Sequence, residues 1–139
     1  MILLDTNVIS ELVRPHPNAD VVIWIGGKLS STIFISVITE EELRFGIAIT
    51  PLGKRRNQLT RAIESMFKED FAGRILSYDR EAAVECALIR AERQRIGRPI
   101  NKADAQIAGI ARSWRAEIVT RNRKDFENCG IAVINPWNL

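Results

Sequence analysis

The chain has 139 residues, 46% of them hydrophobic and 27% charged, with 20 Lys and Arg against 17 Asp and Glu for a net charge of +3. That length fits one domain with a proper core and is too short for two ordinary ones, and the composition is that of a soluble globular protein. No apolar run approaches the ~18 residues of a membrane span, no basic leader precedes an apolar stretch, and Cys86 and Cys129 lack paired or CxxC spacing, which argues against a membrane protein, a secreted disulfide framework and a zinc centre. A reducing cytoplasm is the expected home, and the excess of Arg over Lys favours a phosphate-bearing partner.

Met1 to Leu4 is apolar on both faces, which predicts a buried strand of a parallel sheet. It stops at Asp5-Thr6-Asn7. Taken alone, Asp5 reads first as the cap of a short helix from Thr6 to Val13, and second as a functional carboxylate at the carboxyl edge of a sheet. The segment Arg14 to Asn18, with two prolines, predicts a loop holding the only histidine, His16, in solvent. Asn18 caps a helix from Ala19 to Ile25 closed by Gly26-Gly27, and Thr32 to Ile35 is a second buried strand that runs into Ser36, a good helix cap. A helix follows from Val37 to Ile49 with Glu40, Glu41 and Glu42 in a row. After the break at Pro51 and Gly53, a helix fronted by Lys54, Arg55 and Arg56 returns antiparallel, with Leu59, Ile63, Met66 and Phe67 at helical spacing, forming a helical hairpin outside the sheet.

Ile75-Leu76 is a short strand. Arg80 to Ile96 is a long helix, with Ala83, Ala87, Ala91, Val84 and Leu88 expected on its apolar side and a solvated face of Glu81, Glu85, Glu92, Arg90, Arg93 and Arg95. Asn101 caps a helix whose buried stripe is Ile107, Ile110, Ala111 and Trp114. Glu117 to Thr120 is a strand, Asn122 opens a short helix through Glu127, and Ile131 to Ile134 is the last strand before Asn135-Pro136-Trp137. Strands alternating with helices predict a single α/β domain with a mainly parallel sheet.

Asp5, Glu42, Asp104 and Asp125 fall just beyond strands or in first helical turns. Each has a capping explanation, because Thr39 and Glu42, Asn101 and Asp104, and Asn122 and Asp125 all have cap-plus-three spacing. Asp104 strains that explanation. It lies one turn before Ile107 and Ala108 and so points along the apolar stripe, where an unpaired carboxylate is costly. Glu42 is the best placed of the three consecutive glutamates to face inward. In a parallel sheet these acids, with the Asn122/Asp125 turn, can gather at one carboxyl edge, and crowded carboxylates call for a hard cation such as Mg²⁺ or Mn²⁺. The chemistry that follows is metal-assisted phosphodiester hydrolysis.

Four segments in order, LLDTNVIS at Leu3 to Ser10, ISVITEEELRFG at Ile35 to Gly46, ADAQIA at Ala103 to Ala108 and VTRNRKDF at Val119 to Phe126, resemble the PIN-domain ribonucleases, and among them the VapC toxins of toxin-antitoxin pairs. Asn135-Pro136-Trp137 is similar to the close of the FitB branch. The resemblance covers essentially the whole chain and implies one PIN-like domain over residues 1–139, with about five mainly parallel strands flanked by helices.

It further implies an acidic triad of Asp5, Glu42 and Asp104 around Mg²⁺ or Mn²⁺. The fourth acidic position falls on Asn122, with Asp125 one turn on to supply the charge or orient its neighbours. Thr6, Asn7 and Thr120 are expected to support the acids, and Ser36 to cap the helix near Glu42. The same likeness implies an RNA substrate, a homodimer, and a small VapB/FitA-like antitoxin as partner, with no membrane. Lys54, Arg55, Arg56, Arg98, Lys102, Arg121 and Arg123 are candidate phosphate contacts by composition. Two readings compete: a degenerate PIN domain that only binds RNA or protein, and a phosphohydrolase using Asp5 as covalent nucleophile. The latter lacks its usual second acid, since that position is Asn7.

Overall fold

The computed structural model describes all 139 residues as five strands and six α-helices: β1 Ile2–Leu4, α1 Thr6–Leu12, α2 Ala19–Gly26, β2 Ile33–Ser36, α3 Val37–Ile49, α4 Lys54–Ser65, β3 Ile75–Leu76, α5 Arg80–Arg95, α6 Lys102–Trp114, β4 Glu117–Val119 and β5 Val133–Ile134. The sheet order is β3-β2-β1-β4-β5, and every neighbouring pair is parallel. The chain first steps outward from β1 to β2 to β3. It then returns through α5 and α6 to place β4 on the other side of β1. The strand order therefore reverses beside β1, and the crevice between the carboxyl ends of β1 and β4 is where an open α/β sheet offers a binding site.

Helices cover both faces, so the strands are apolar on both. Ile2 and Leu4 of β1 join Ile33, Ile35 and Val119 in a cluster closed by Val8, Val21, Leu43, Ile47, Ile63 and Phe67 from α1 to α4 and the turn after α4. Leu3 points the other way and packs with Ile118, Ile89, Ile107, Ile110 and Phe126, under α5 and α6. The α3–α4 hairpin lies outside the sheet, as expected, and shuts down on one face through Leu43, Ile47 and Ile63. No helix is long and apolar enough to cross a membrane.

Element types match the sequence reading, while several ends move by one or two residues. The last strand is only Val133–Ile134, and Ser30–Thr32 is a 3₁₀ turn ahead of β2. Two side-chain expectations are corrected. On α5 the buried positions are Ala82, Cys86, Ile89 and Arg93, whereas Val84 and Leu88 are exposed. Alanines are too small to mark a face, and the contact with α6 is set instead by Gly109, where an added Cβ would lie 2.6 Å from Ala82 O and 2.9 Å from Cys86 Cβ. Trp114 is 50% exposed rather than buried, because it occupies the last position of α6, just before Arg115 turns left-handed and sends the chain back to β4.

Arg93 is the larger correction. Assigned to a solvated face, it is only 5% exposed, and its guanidinium donates to the carbonyls of Arg98 (2.6 Å), Asp125 (3.0 Å) and Glu127 (3.0 Å). A buried cation satisfied by main-chain oxygens fixes the segment that follows β4.

Two stability outcomes follow. Gly109→Ala forces a methyl against a backbone carbonyl that cannot yield without moving α5, and overpacking of this kind lowers the unfolding free energy by about 1–3 kcal/mol, read from the urea midpoint. Arg93→Ala leaves three carbonyls without their donor and costs about 3 kcal/mol in the same measurement, and Arg93→Lys recovers less than half, since an ammonium cannot reproduce the planar fork.

Candidate active site

Asp5 ends β1 with its amide bonded to Val119 O (2.9 Å), so the sheet ladder itself delivers the residue to the crevice. It is 6% exposed. Oδ1 accepts from the Thr6 amide (2.8 Å), while Oδ2 accepts from Thr120 Oγ1 (2.8 Å) and Asn7 Nδ2 (3.2 Å). Asp5 thus caps α1 and lies in the site at once, so the two readings of this residue are compatible. Thr120, fully buried past β4, also accepts from Asn7 Nδ2 (3.1 Å) and the Asn122 amide (3.0 Å), which uses its single proton and both lone pairs. Asn7 Oδ1 in turn takes the Arg121 amide (3.2 Å).

Glu42 reaches the same place from α3. It is exposed to solvent rather than turned into the core, yet its Oε1 accepts from Thr6 Oγ1 at 2.7 Å, and Thr6 Oγ1 lies 3.1 Å from Thr39 Oγ1. The capping box expected at Thr39 and Glu42 does not form, because Ser36 caps α3 by accepting from the Thr39 amide (3.1 Å). Glu40 is tied up with Arg44, and Glu41 is exposed.

Asp104 stands in the first turn of α6. Asn101 Oδ1 accepts from the Asp104 amide (2.8 Å) and Asn101 Nδ2 donates to Asp104 Oδ2 (2.7 Å). At the fourth position the Asn122 side chain makes no cap bond, so that expected cap is not realised. The Asp125 amide instead bonds to Asn122 O (3.1 Å) in a 3₁₀ turn of Arg123–Phe126.

The acids sense one another. Burial pushes the Asp5 carboxyl up, hydrogen bonds from Thr120 and Thr6 oppose that, and the charges of Glu42 and Asp125 add to the rise. Asp104 is raised to about 6, first by burial, then by Asp5 and Asp125, with the Asn101 bond opposing and Glu42 adding. Asp125, and not the neutral Asn122, supplies the fourth negative charge that both neighbours feel.

These side chains wall a cleft of about 420 Å³ together with Ser10, Glu11, Arg14, Arg121 and Trp137. Glu11 was not foreseen. It is 7% exposed, accepts from the Asn18 amide (3.0 Å), and so ties α1 to the start of α2. Its spacing of four from Asn7, with Arg14 three further on, was the available signal, since these positions share one face of a helix. Among the candidate phosphate contacts, only Arg121 lines this cleft. Arg55 lines an adjoining, more apolar groove of about 490 Å³ that shares Thr6, Ser10, Arg14 and Glu42 with it. Lys54, Arg56, Lys102 and Arg123 line neither, and Arg98 pairs with Glu127 at 3.0 Å.

No three carboxylates, thiols or imidazoles form a ready-made metal cage. The donor set is nonetheless all oxygen, and two of its carboxyls are held above their ordinary range by burial first and by neighbouring acids second, an environment that a bound cation would relieve. Open sites that bind through one or two carboxylates and keep several waters suit Mg²⁺. The residues therefore fit a hydrated divalent ion, and they do not fit zinc, for want of Cys or His.

The family model described as the PIN domain matches residues 2–131. The chain is 41% identical over 138 residues to Toxin FitB of Neisseria gonorrhoeae, covering 99% of each, and 41% identical over 137 residues to VapC ribonuclease Y4jK of Sinorhizobium fredii, covering 99% of this chain and 98% of the relative. Its fold superposes on the crystal structure of FitAcB from Neisseria gonorrhoeae with a TM-score of 0.94 and 42% identity, covering 100% of both chains. The chain belongs to the PIN-domain family, among its VapC and FitB members.

Proposed function

We propose that this chain is a Mg²⁺- or Mn²⁺-dependent endoribonuclease toxin that hydrolyses phosphodiester bonds in single-stranded or loop regions of RNA. The observation that carries the reading is the convergence of Asp5, Glu42, Asp104 and Asp125 on one cleft at the strand-order reversal, with the Asp5 and Asp104 carboxyls raised first by burial and then by the neighbouring charges. The similarity to VapC ribonuclease Y4jK supports the substrate class.

Asp5, Glu42 and Asp104 would hold the cation. When bound, it supplies Lewis acidity that activates water and neutralises charge building on the phosphate under attack. Thr120 and Asn7 keep the Asp5 carboxylate aimed, and Thr6 does the same for Glu42. Asp125 adds charge, and Asn122 offers a neutral amide oxygen to the site or to water. Arg121 at the rim meets phosphate.

A small antitoxin, a homodimer and action in the cytoplasm complete the reading. Similarity to Toxin FitB and the apolar groove beside the cleft support the antitoxin, and the exposed pair Val84 and Leu88, one turn apart on α5, supports a second copy.

Purified protein should cleave single-stranded RNA in Mn²⁺ and lose at least 100-fold in rate as Asp5→Asn or Asp104→Asn, with folding intact by circular dichroism; an undiminished rate for Asp5→Asn in chelator overturns the reading. The charge imbalance gives a second outcome. Because the folded Asp104 carboxyl titrates near 6, above its ordinary 3.8, the folded form binds the extra proton, so this group's contribution to stability is present at low pH and lost as pH rises through about 6. In chelator at pH 7.5, Asp104→Asn should therefore melt above the parent. After discounting for solvent screening, the effect is about 1 kcal/mol, or roughly 3 °C, and vanishes at pH 4.

A further inference from the structure

Asn135-Pro136-Trp137, to which the proposed function assigns no role, follows β5 and brings Trp137 to the cleft. Trp137 is the single hydrophobic side chain among the twelve that line it. Part of the indole packs on the α1–α4 side of the core, and the rest faces the cleft. The Arg121 guanidinium carbon lies 5.4 Å from the ring centroid. The ring is also held from below. The Trp137 amide donates to Asn135 Oδ1 (2.9 Å), Asn135 Nδ2 donates to Arg121 O (3.3 Å), and the Arg121 amide donates to Asn7 Oδ1 (3.2 Å), the residue that orients Asp5.

Packing alone does not account for an indole placed in a cleft lined by five acidic side chains with an arginine across its face. A flat apolar surface, a free guanidinium and a phosphate-hydrolysing floor within one cleft are the parts of a nucleotide site. We propose that Trp137 is a stacking platform for the unpaired base next to the scissile phosphate, with Arg121 moving off the ring to contact the flanking phosphate. This rests on the ribonuclease reading for the identity of the phosphate. A base has two open faces only when it is unpaired and unstacked, so the platform selects single-stranded or loop RNA. Stacking of a base on an aromatic ring outweighs an exposed cation–π contact, so the incoming base displaces Arg121 rather than the reverse.

The test crosses protein and substrate changes. A single-stranded oligonucleotide with a mapped cut is made with abasic residues at each position flanking that cut, and kcat/KM is measured for the wild type, Trp137→Leu and Trp137→Phe. Trp137→Leu should cut the intact strand roughly 10- to 100-fold more slowly. One abasic position should slow the wild type by a similar factor, and the two losses should not multiply. Trp137→Phe should keep most of the rate. A Trp137→Leu loss that is equally large on intact and abasic strands at every position assigns the indole a packing role only and overturns the proposal, as does an unchanged rate for Trp137→Leu. Binding is read separately in the Trp24→Phe, Trp114→Phe background, where Trp137 is the sole fluorophore of its kind. Oligouridine should quench it and an abasic oligomer should not; equal quenching, or none, overturns the platform. A wild type that cleaves no RNA sinks the ribonuclease reading instead, and the platform then stands or falls on quenching alone.

Discussion

Asp5 carries a carboxylate into a position almost closed to water and within reach of two further acids that raise its proton affinity. An isolated charge could not be held there, because the desolvation cost of an unpaired buried carboxylate exceeds what a small domain can supply. Three donors offset that cost, from the Thr6 amide, Thr120 and Asn7, and each belongs to a different structural duty. The amide opens α1, the threonine ends β4, and the asparagine is pinned by the chain leaving β4. Asp5 therefore stays in place only while β1, β4 and α1 keep their mutual register, and the cleft is as rigid as the sheet that frames it.

The rest of the architecture can be understood from that requirement. β1 is central because a residue at its end must be flanked by strands on both sides to be buried. The crossover through α5 and α6 puts Asp104 opposite Asp5, and Gly109 lets those two helices approach closely enough for α6 to keep its first turn over the sheet edge. Behind the cleft, Arg93 anchors the carbonyls of Asp125 and Glu127, so the turn bearing the fourth acid is fixed from the interior.

Much of this was legible in the chain because it depends on local rules. Short runs apolar on both faces, followed by a cap residue, gave β1, β2 and the helices after them, and Asp5, which ends the first run, lines the candidate cleft together with Glu42 from the helix after the second. What was illegible depends on partners distant in sequence. The burial of Arg93 is decided by carbonyls some thirty residues on, at Asp125 and Glu127, and no periodicity encodes an interior site for an arginine. Val84 and Leu88 have the hydrophobicity of a core face, but the close approach at Gly109, on another helix, turns Ala82, Cys86 and Ile89 inward instead. Glu42 was expected to turn inward, and it reaches the cleft from an exposed position, because a long side chain on a helix rim can serve a site without being buried.

The sign of the charge around the cleft completes the physical picture. The floor is acidic and the rim is basic through Arg14 and Arg121, with Arg55 along the adjoining groove. On the proposed reading, a polyanion approaching this surface is drawn by the rim and repelled by the floor, and Coulomb repulsion grows as the phosphate descends into a water-poor site. Asn122 in place of a fourth carboxylate at that position lowers this repulsion, while Asp125, three residues on, supplies a charge that both Asp5 and Asp104 feel. A phosphate would therefore meet Arg14 and Arg121 at the rim first, and Asp5, Glu42 and Asp104 would hold the cation that offsets the repulsion below. On that reading, the carboxylates that raise one another's proton affinity would be the donors that hold the cation, and the electrostatic cost of crowding them would be the source of the affinity.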